Sequence, residues 1–208
     1  MLRWSALFAF ALTLAVPAVT SAQDWQVRID ESRDASDPDT TPNIEFTAMG
    51  AGGFRSSGGP AGTFWMPGQS ATGAYTLSGT FTLNTPSSHT NYYGLVFGGS
   101  NLGAPNQQYV YFMVAQNGSF QIRHRNGDQT SNVQGRTPHA AVVRPGANGQ
   151  SVNNLEVRVA ADAISYVVNG TVVHTTPKSG ATAVTDGQVG ARINHETDVT
   201  VSNFQIRR

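Results

Sequence analysis

Alternation of apolar and polar residues is the feature that most constrains the fold of this chain. In the segment YTLSGTFTL, apolar residues share one face of an extended chain and small hydroxyl-bearing residues share the other. Similar segments recur to the C-terminus, separated by turn signals rich in Gly, Asn, Asp and Pro roughly every 8 to 15 residues. After the first 22 residues no segment follows a helical period. The pattern predicts an all-β protein, an antiparallel two-sheet β-sandwich, with these residues of YTLSGTFTL facing the core: Tyr75, Leu77, Phe81 and Leu83.

Two segments are apolar on both faces, YYGLVFGG at 92–99 and YVYFMVAQ at 109–116. Both are predicted to be central strands, because a short, continuous apolar run fits a strand that is covered on both sides. The loop SNLGAPNQQ between them returns the chain to an antiparallel neighbour. In the second strand, one face carries Val110, Phe112 and Val114, and the other carries Tyr109, Tyr111 and Met113.

Two Asn-Gly pairs, Asn117-Gly118 and Asn169-Gly170, predict β-hairpins. Both central positions of a type I′ turn need positive φ, which Asn and Gly tolerate best. After the first turn, the residues expected to face the core are Phe120, Ile122 and His124, and those expected to face away are Gln121, Arg123 and Arg125. In the last strand, a bulge near Ser202-Asn203 would bring its apolar residues to one side.

The N-terminal third is less regular. DESRDASDPDTTP, residues 30–42, is polar and predicts an exposed loop, and the glycine-rich segment 50–62 predicts a wide or mobile turn. Strands are expected at about 43–48 and 62–66.

Residues 1–22 are typical of a secretory signal peptide. A short basic start is followed by the apolar stretch WSALFAFALTLAVPAV and by small residues that end at Ala22. A membrane helix is the alternative, but Pro17 breaks the stretch, which falls short of the roughly 20 apolar residues that span a bilayer. Residues 23–208 are therefore expected to form a single, secreted or periplasmic β-sandwich domain with no membrane insertion after cleavage.

Composition restricts the partners and the chemistry. Thirteen Lys and Arg residues balance thirteen Asp and Glu residues, which argues against nucleic acid as a partner because such binding depends on many basic residues. The chain has no cysteine, so disulfides and thiolate metal sites are excluded.

Carboxylates and histidines offer little for catalysis. A glycosidase needs two facing carboxyl groups, whereas residues 23–208 contain four glutamates and most of their aspartates fall in predicted loops. No catalytic residue is predicted. The densest polar cluster, residues 194–198, offers calcium two carboxylates, Glu196 and Asp198, although a polar hairpin turn explains it equally simply.

Sugar binding is the chemistry that the residue types favour. An aromatic ring packs against the C–H face of a sugar, and planar polar groups bind its hydroxyls. The predicted ligand-binding residues are Tyr92, Tyr109, Tyr111, Gln108, Arg123 and Arg125. The alternative for Tyr109 and Tyr111 is a purely structural place in the core. Because guanidinium groups match carboxylates and sulfates, the group formed by Arg123, Arg125, Arg136 and Arg144 also raises an acidic polysaccharide as the ligand. The alternative is that these arginines are interspersed charges on an exposed strand.

The order of these segments resembles the concanavalin A-like and laminin-G-like jelly rolls of secreted bacterial proteins. NNLEVRVA, ISYVVNG and DGQVG carry the resemblance most clearly, and a distant similarity to 3-keto-disaccharide hydrolase-like domains covers about residues 70–208. The Glu-x-Asp-x-x-Glu strand of β-glucanases with this fold is missing, so the resemblance implies a fold and no catalytic residue.

Three functions follow as expectations. The first is an exported, lectin-like carbohydrate-binding module without catalytic activity. The second is a glycoside hydrolase or lyase that acts on a modified sugar such as a 3-keto-disaccharide, and the third is a structural or adhesion module.

Overall fold

A computed structural model describes residues 25–30, 43–50 and 52–208. Within these residues the chain forms fourteen strands and one short 3₁₀ turn, Gly180–Thr182. None of the described segments is a helix long and apolar enough to cross a membrane. The predicted signal peptide, residues 1–22, lies outside the described residues. The strands are β1 Gln26–Asp30, β2 Glu45–Ala48, β3 Phe54–Ser57, β4 Ala61–Ala71, β5 Tyr75–Thr85, β6 Tyr92–Ser100, β7 Gln108–Ala115, β8 Ser119–Asn126, β9 Gln129–Pro138, β10 Ser151–Val159, β11 Ala163–Val168, β12 Thr171–Pro177, β13 Gly187–Ile193 and β14 Asp198–Arg207.

The strands form two seven-stranded sheets. The first has the order β1-β4-β13-β6-β7-β8-β9, and the second has the order β12-β11-β10-β5-β14-β3-β2. Every recorded pairing is antiparallel. The predicted fold class, an antiparallel two-sheet β-sandwich, is confirmed.

The main core lies between the two sheets. Tyr75, Leu77, Phe81 and Leu83 of β5 all belong to it, as their alternation predicts. Alternate residues of β6 and β7 also face this core, while the other phase of both strands is buried in a second apolar cluster on the outer face of the first sheet. The prediction that both strands are central and covered on two sides is therefore confirmed.

Asn117-Gly118 and Asn169-Gly170 form the predicted hairpins, but with different turns. Asn169 and Gly170 have φ values of 49° and 83°, as a type I′ turn requires. At the other hairpin only Gly118 has positive φ, and its N–H donates to the carbonyl of Ala115. The type I′ prediction is wrong there because the Asn117 side chain accepts from the N–H of Ser119, which stabilises a turn that ends at Gly118.

The structure differs from the sequence-based expectations at the strands β1, β3 and β9 and at His124. The glycine-rich segment contains a strand, β3, which pairs with β14. Strands β1 and β9 complete the two edges of the first sheet, although their polar sequences gave no clear alternation. His124 is half-buried at the end of β8 and does not belong to the core.

The predicted bulge in β14 is confirmed, with a register shift between Ser202 and Gln205.

Close backbone packing at Gly94 gives a test of the first sheet. A Cβ atom at this position would overlap the Phe112 carbonyl oxygen and the Cα atom of Met113 on the neighbouring strand. We expect Gly94→Ala to lower the free energy of unfolding by about 1–3 kcal/mol, which is the usual cost of overpacking. The control is Gly135→Ala in β9, where a Cβ atom meets nothing within 4 Å. Urea denaturation of both variants measures the effect, and equal stability would contradict the described packing of β6 on β7.

Candidate functional site

An aromatic layer covers the outer face of the first sheet. It contains side chains from β4, β6 and β7 and from the loop after β6, all at least 93% buried: Trp65, Tyr92, Val96, Leu102, Tyr109, Tyr111, Met113 and Ala115. Cross-strand pairing places arginines of β8 beside two of these rings, since Tyr111 is opposite Arg123 and Tyr109 is opposite Arg125. The outer face therefore combines rings and guanidinium groups.

Asp30, the last residue of β1, binds three arginines on this face. Arg125 donates to its two carboxylate oxygens at 2.8 and 3.3 Å, and Arg28 donates to one of them at 3.3 Å. Arg192 of β13 donates to the same carboxylate. Asp30, Arg125 and Arg192 are each nearly buried, with side chains about 12%, 11% and 9% exposed. A single carboxylate thus compensates three guanidinium groups.

These contacts show that the first sheet is strongly curved. β1 and β8 are separated by five strand spacings, which span roughly 24 Å in a flat sheet. The 2.8 Å contact between Asp30 and Arg125 is possible only if the sheet curls and brings its two ends together over the outer face. The outer face is therefore concave.

Hydroxyl groups complete the surroundings of Arg192. Its guanidinium donates to Thr63 Oγ1 at 3.0 Å and to the Tyr109 hydroxyl at 3.3 Å, and these two hydroxyls are 3.1 Å apart. Gly94 is opposite Arg192 in the register of β6 and β13. Arg192 is therefore held in one orientation.

Electrostatics favour the charged form of Asp30. Burial raises the pKa of this carboxyl, but attraction to Arg192, Arg125 and Arg28, together with the hydrogen bond from Arg192, outweighs burial and leaves the pKa below its ordinary value. Burial raises the pKa of Tyr111, and attraction to Arg192 and Arg123 offsets this only in part. At neutral pH Tyr111 therefore presents a neutral hydroxyl beside a charged cluster.

A cleft of about 210 Å³ opens beside this cluster. It is smaller than the roughly 300 Å³ at which pockets for drug-sized ligands begin, so it suits one sugar-sized group. No described carboxylate lines it. The lining residues come from β4, β7, β8, β9, β13 and the loop after β13: Ala61, Tyr111, Met113, Arg123, Arg125, Thr130, Arg192, Asn194 and His195.

Arg123 is the arginine of the cleft with the fewest partners. Its Nη2 donates to Thr130 Oγ1 at 2.7 Å, and it forms no ion pair with any carboxylate in the described part of the chain. Its Nε is buried without a hydrogen-bond partner among those residues. The guanidinium therefore has donors that no described residue uses.

The predicted ligand-binding residues lie in three places. Tyr111, Arg123 and Arg125 line the cleft. Tyr92 and Tyr109 are each 1% exposed and their hydroxyls bind Ser119 and Thr63, which for Tyr109 is the structural place named above as the alternative. Gln108 is exposed and lines a separate small cavity with Val110 and His124.

The two predicted metal ligands have different surroundings. Asp198 accepts two hydrogen bonds from Arg55, at 3.0 and 2.9 Å, and one from Asn84 at 2.9 Å. Glu196 instead accepts from Ser88 at 3.2 Å. No three His, Asp or Glu residues in the described ranges are placed to hold a metal ion together. Calcium at Glu196 and Asp198 stays a prediction, and Asp198 would have to leave Arg55 for it.

Sequence reasoning missed several residues of the site. Asp30 reads as the start of a polar loop, and Arg192 reads as one exposed residue on the polar phase of β13. His89 and His195 lie 106 positions apart, yet their Nε2 atoms are 2.9 Å apart at the rim of the cleft. One feature of the sequence could have indicated that Arg192 belongs to the site. Arg192 lies on the opposite face of its strand from the apolar residues of GQVGARI.

No family model matches the chain, and no curated protein sequence matches it significantly. Among solved structures, it is similar to the carbohydrate binding module CBM66 from Bacillus subtilis, with 10% identity, a TM-score of 0.62 and coverage of 90% of this chain and 98% of that one. It is also similar to a Bacillus subtilis protein of unknown function with a galectin-like fold, with 11% identity, a TM-score of 0.61 and coverage of 89% and 90%. A third is the metal-free carbohydrate recognition domain of Emp46p, with 11% identity, a TM-score of 0.53 and coverage of 91% and 92%. Because the identities are this low, these likenesses show a shared fold alone. That fold is a galectin-like jelly-roll β-sandwich, consistent with the concanavalin A-like fold that the resemblance implied.

The ion cluster gives a pH-dependent prediction. We expect Asp30→Asn to lower the free energy of unfolding by about 3 kcal/mol at pH 7, because it leaves buried guanidinium groups uncompensated. The native pKa lies below the unfolded value, so the carboxylate stabilises fully above about pH 4 and loses this contribution as pH falls through the native pKa. The difference between wild type and variant should therefore shrink at low pH.

Urea denaturation at a series of pH values measures this difference. Asp162→Asn, at an exposed aspartate of the other sheet, is the matched control and should stay within about 0.5 kcal/mol of wild type. A loss in Asp30→Asn that is independent of pH would contradict the described role of the carboxylate.

Proposed function

We propose that this protein is an exported module that binds carbohydrate without catalysis, through the cleft on the concave face of the first sheet. The observation that carries the proposal is the cleft itself, where the polar side chains of Arg123, Thr130 and Asn194 match sugar hydroxyls and lie beside Tyr111, which is 4% exposed. Sugars present two kinds of surface, C–H groups and hydroxyls.

The polar groups of the cleft are placed for hydrogen bonding. Arg192 and Arg125 are fixed by Asp30, and Arg123 is fixed in part by Thr130. A ligand therefore meets donors that lose little side-chain entropy on binding. Asn194, whose backbone N–H donates to the Tyr92 carbonyl at 2.9 Å, adds an amide that can both donate and accept.

The solved structures support the proposal at the level of the fold. Two of them carry names that state carbohydrate binding or recognition, and they cover at least 90% of this chain. A shared fold alone does not imply a shared ligand, so the argument for this protein depends on the cleft.

The other two parts of the proposal have separate support. Non-catalytic binding is supported by the lining of the cleft, which includes no carboxylate among the described residues, whereas glycoside hydrolysis ordinarily uses two. Export is supported by the features of residues 1–22 that are typical of a signal peptide.

Binding should depend on Arg123. We expect residues 23–208 to bind at least one ligand of a broad glycan array, and Arg123→Ala to weaken that binding about tenfold or more, because hydrogen bonds to charged groups contribute about 1.5–3 kcal/mol. Equal binding with calcium and with chelator is expected, since the proposed contacts use no metal. The purified protein should release no reducing sugar from the bound glycan.

Arg158→Ala is the matched control, because Arg158 is an exposed arginine of β10 that pairs with Glu156 on the other sheet. Loss of binding in both variants, or in neither, would contradict the assignment of the cleft. Silence of wild type across the array would favour an adhesion module, and release of reducing sugar would favour an enzyme.

A further inference from the structure

We infer that the cleft selects anionic sugars, those that carry a carboxylate or a sulfate group. The inference rests on the proposed function and names the class of ligand for the same site. It comes from the charges that surround the cleft, which exceed what a neutral sugar needs.

Four arginines meet one carboxylate at this site. Arg28, Arg125 and Arg192 share Asp30, and Arg123 has no carboxylate partner within the described ranges. These four guanidinium groups and the Asp30 carboxylate together carry a net charge of +3. The described lining of the cleft contains three of these arginines and no acidic residue. The chain continues from Asp30 into residues 31–42, which lie outside the described residues.

Burial strengthens the attraction between these positive charges and an anionic ligand. The side chains of Arg192 and Arg125 are only about 9% and 11% exposed, so both charges lie in surroundings that screen them less than bulk water. An anion that enters the cleft gains attraction from both without any need to break their contacts with Asp30. Neutral hydroxyls gain only the ordinary hydrogen bonds.

Arg123 supplies the donors for an anion. Its contact with Thr130 uses Nη2 and involves a neutral oxygen, and none of the described hydrogen bonds uses its Nη1. A guanidinium group offers five N–H donors in a planar fork, which matches the two oxygens of a carboxylate or sulfate. Arg123 is therefore the residue that we assign to direct contact with the anionic group.

Paired ligands that differ only in charge test the inference. The first pair is oligogalacturonate and its methyl ester, and the second is dextran sulfate and dextran. Calorimetric titration of residues 23–208 should show at least tenfold tighter binding of the anionic member in at least one pair. The preference should weaken as salt rises, because added ions screen the exposed part of the interaction.

Arg123→Gln and Arg158→Gln separate the site from general electrostatic attraction, since both remove one positive charge. The preference should fall at least fivefold in Arg123→Gln and stay unchanged in Arg158→Gln, with thermal unfolding used to check that both variants are folded. Equal loss in the two variants would overturn the inference.

The same titrations distinguish failure of the inference from failure of the proposed function. If neither pair shows a preference while neutral glycans bind in a manner that depends on Arg123, the anionic class is wrong and carbohydrate binding stands. If no glycan binds at all, both are wrong.

Discussion

The contact of Asp30 with Arg125 and Arg192 is the interaction on which the concave face depends. It connects the edge strand β1 to β8, five strand spacings away, and to β13 between them. Two nearly buried guanidinium groups side by side would repel each other without a shared anion. With Asp30 present, they remain charged and fixed, and they form one wall of a cleft that Tyr111 and Met113 of the aromatic layer also line.

The two apolar layers of the first sheet have different roles. The layer that faces the second sheet is the core of the sandwich, and strands of both sheets contribute residues to it. The layer on the outer face is smaller and is covered by arginines and the loop after β6 rather than by another sheet. Rigid rings beneath fixed charges give a surface that changes little on binding, which reduces the entropic cost of holding a ligand.

Most of the sandwich could be predicted because its core strands have strong alternation and clear turns. The inward faces of β5, β7 and β13 follow directly from the sequence, as does the bulge near Asn203. The edge strands β1 and β9 and the glycine-rich strand β3, which lies between β14 and β2, could not be predicted, since a polar or glycine-rich strand has no apolar phase to reveal it. The candidate site was predictable in part, because the positions of Tyr111, Arg123 and Arg125 follow from the alternation of their strands. The positions of Asp30, Arg192 and the His89–His195 pair depend instead on contacts between residues far apart in the sequence.

The most direct test of the central claim is an NMR titration that locates the bound sugar. Residues 23–208 labelled with ¹⁵N would be titrated with the glycan that binds, and the side-chain Nε–H resonances of arginine and the amide resonances would be followed. The account predicts the largest shifts at Arg123, Thr130 and Asn194 around the cleft. Shifts confined to the outer face of the second sheet, at Asn154 and Gln205 for example, would contradict it.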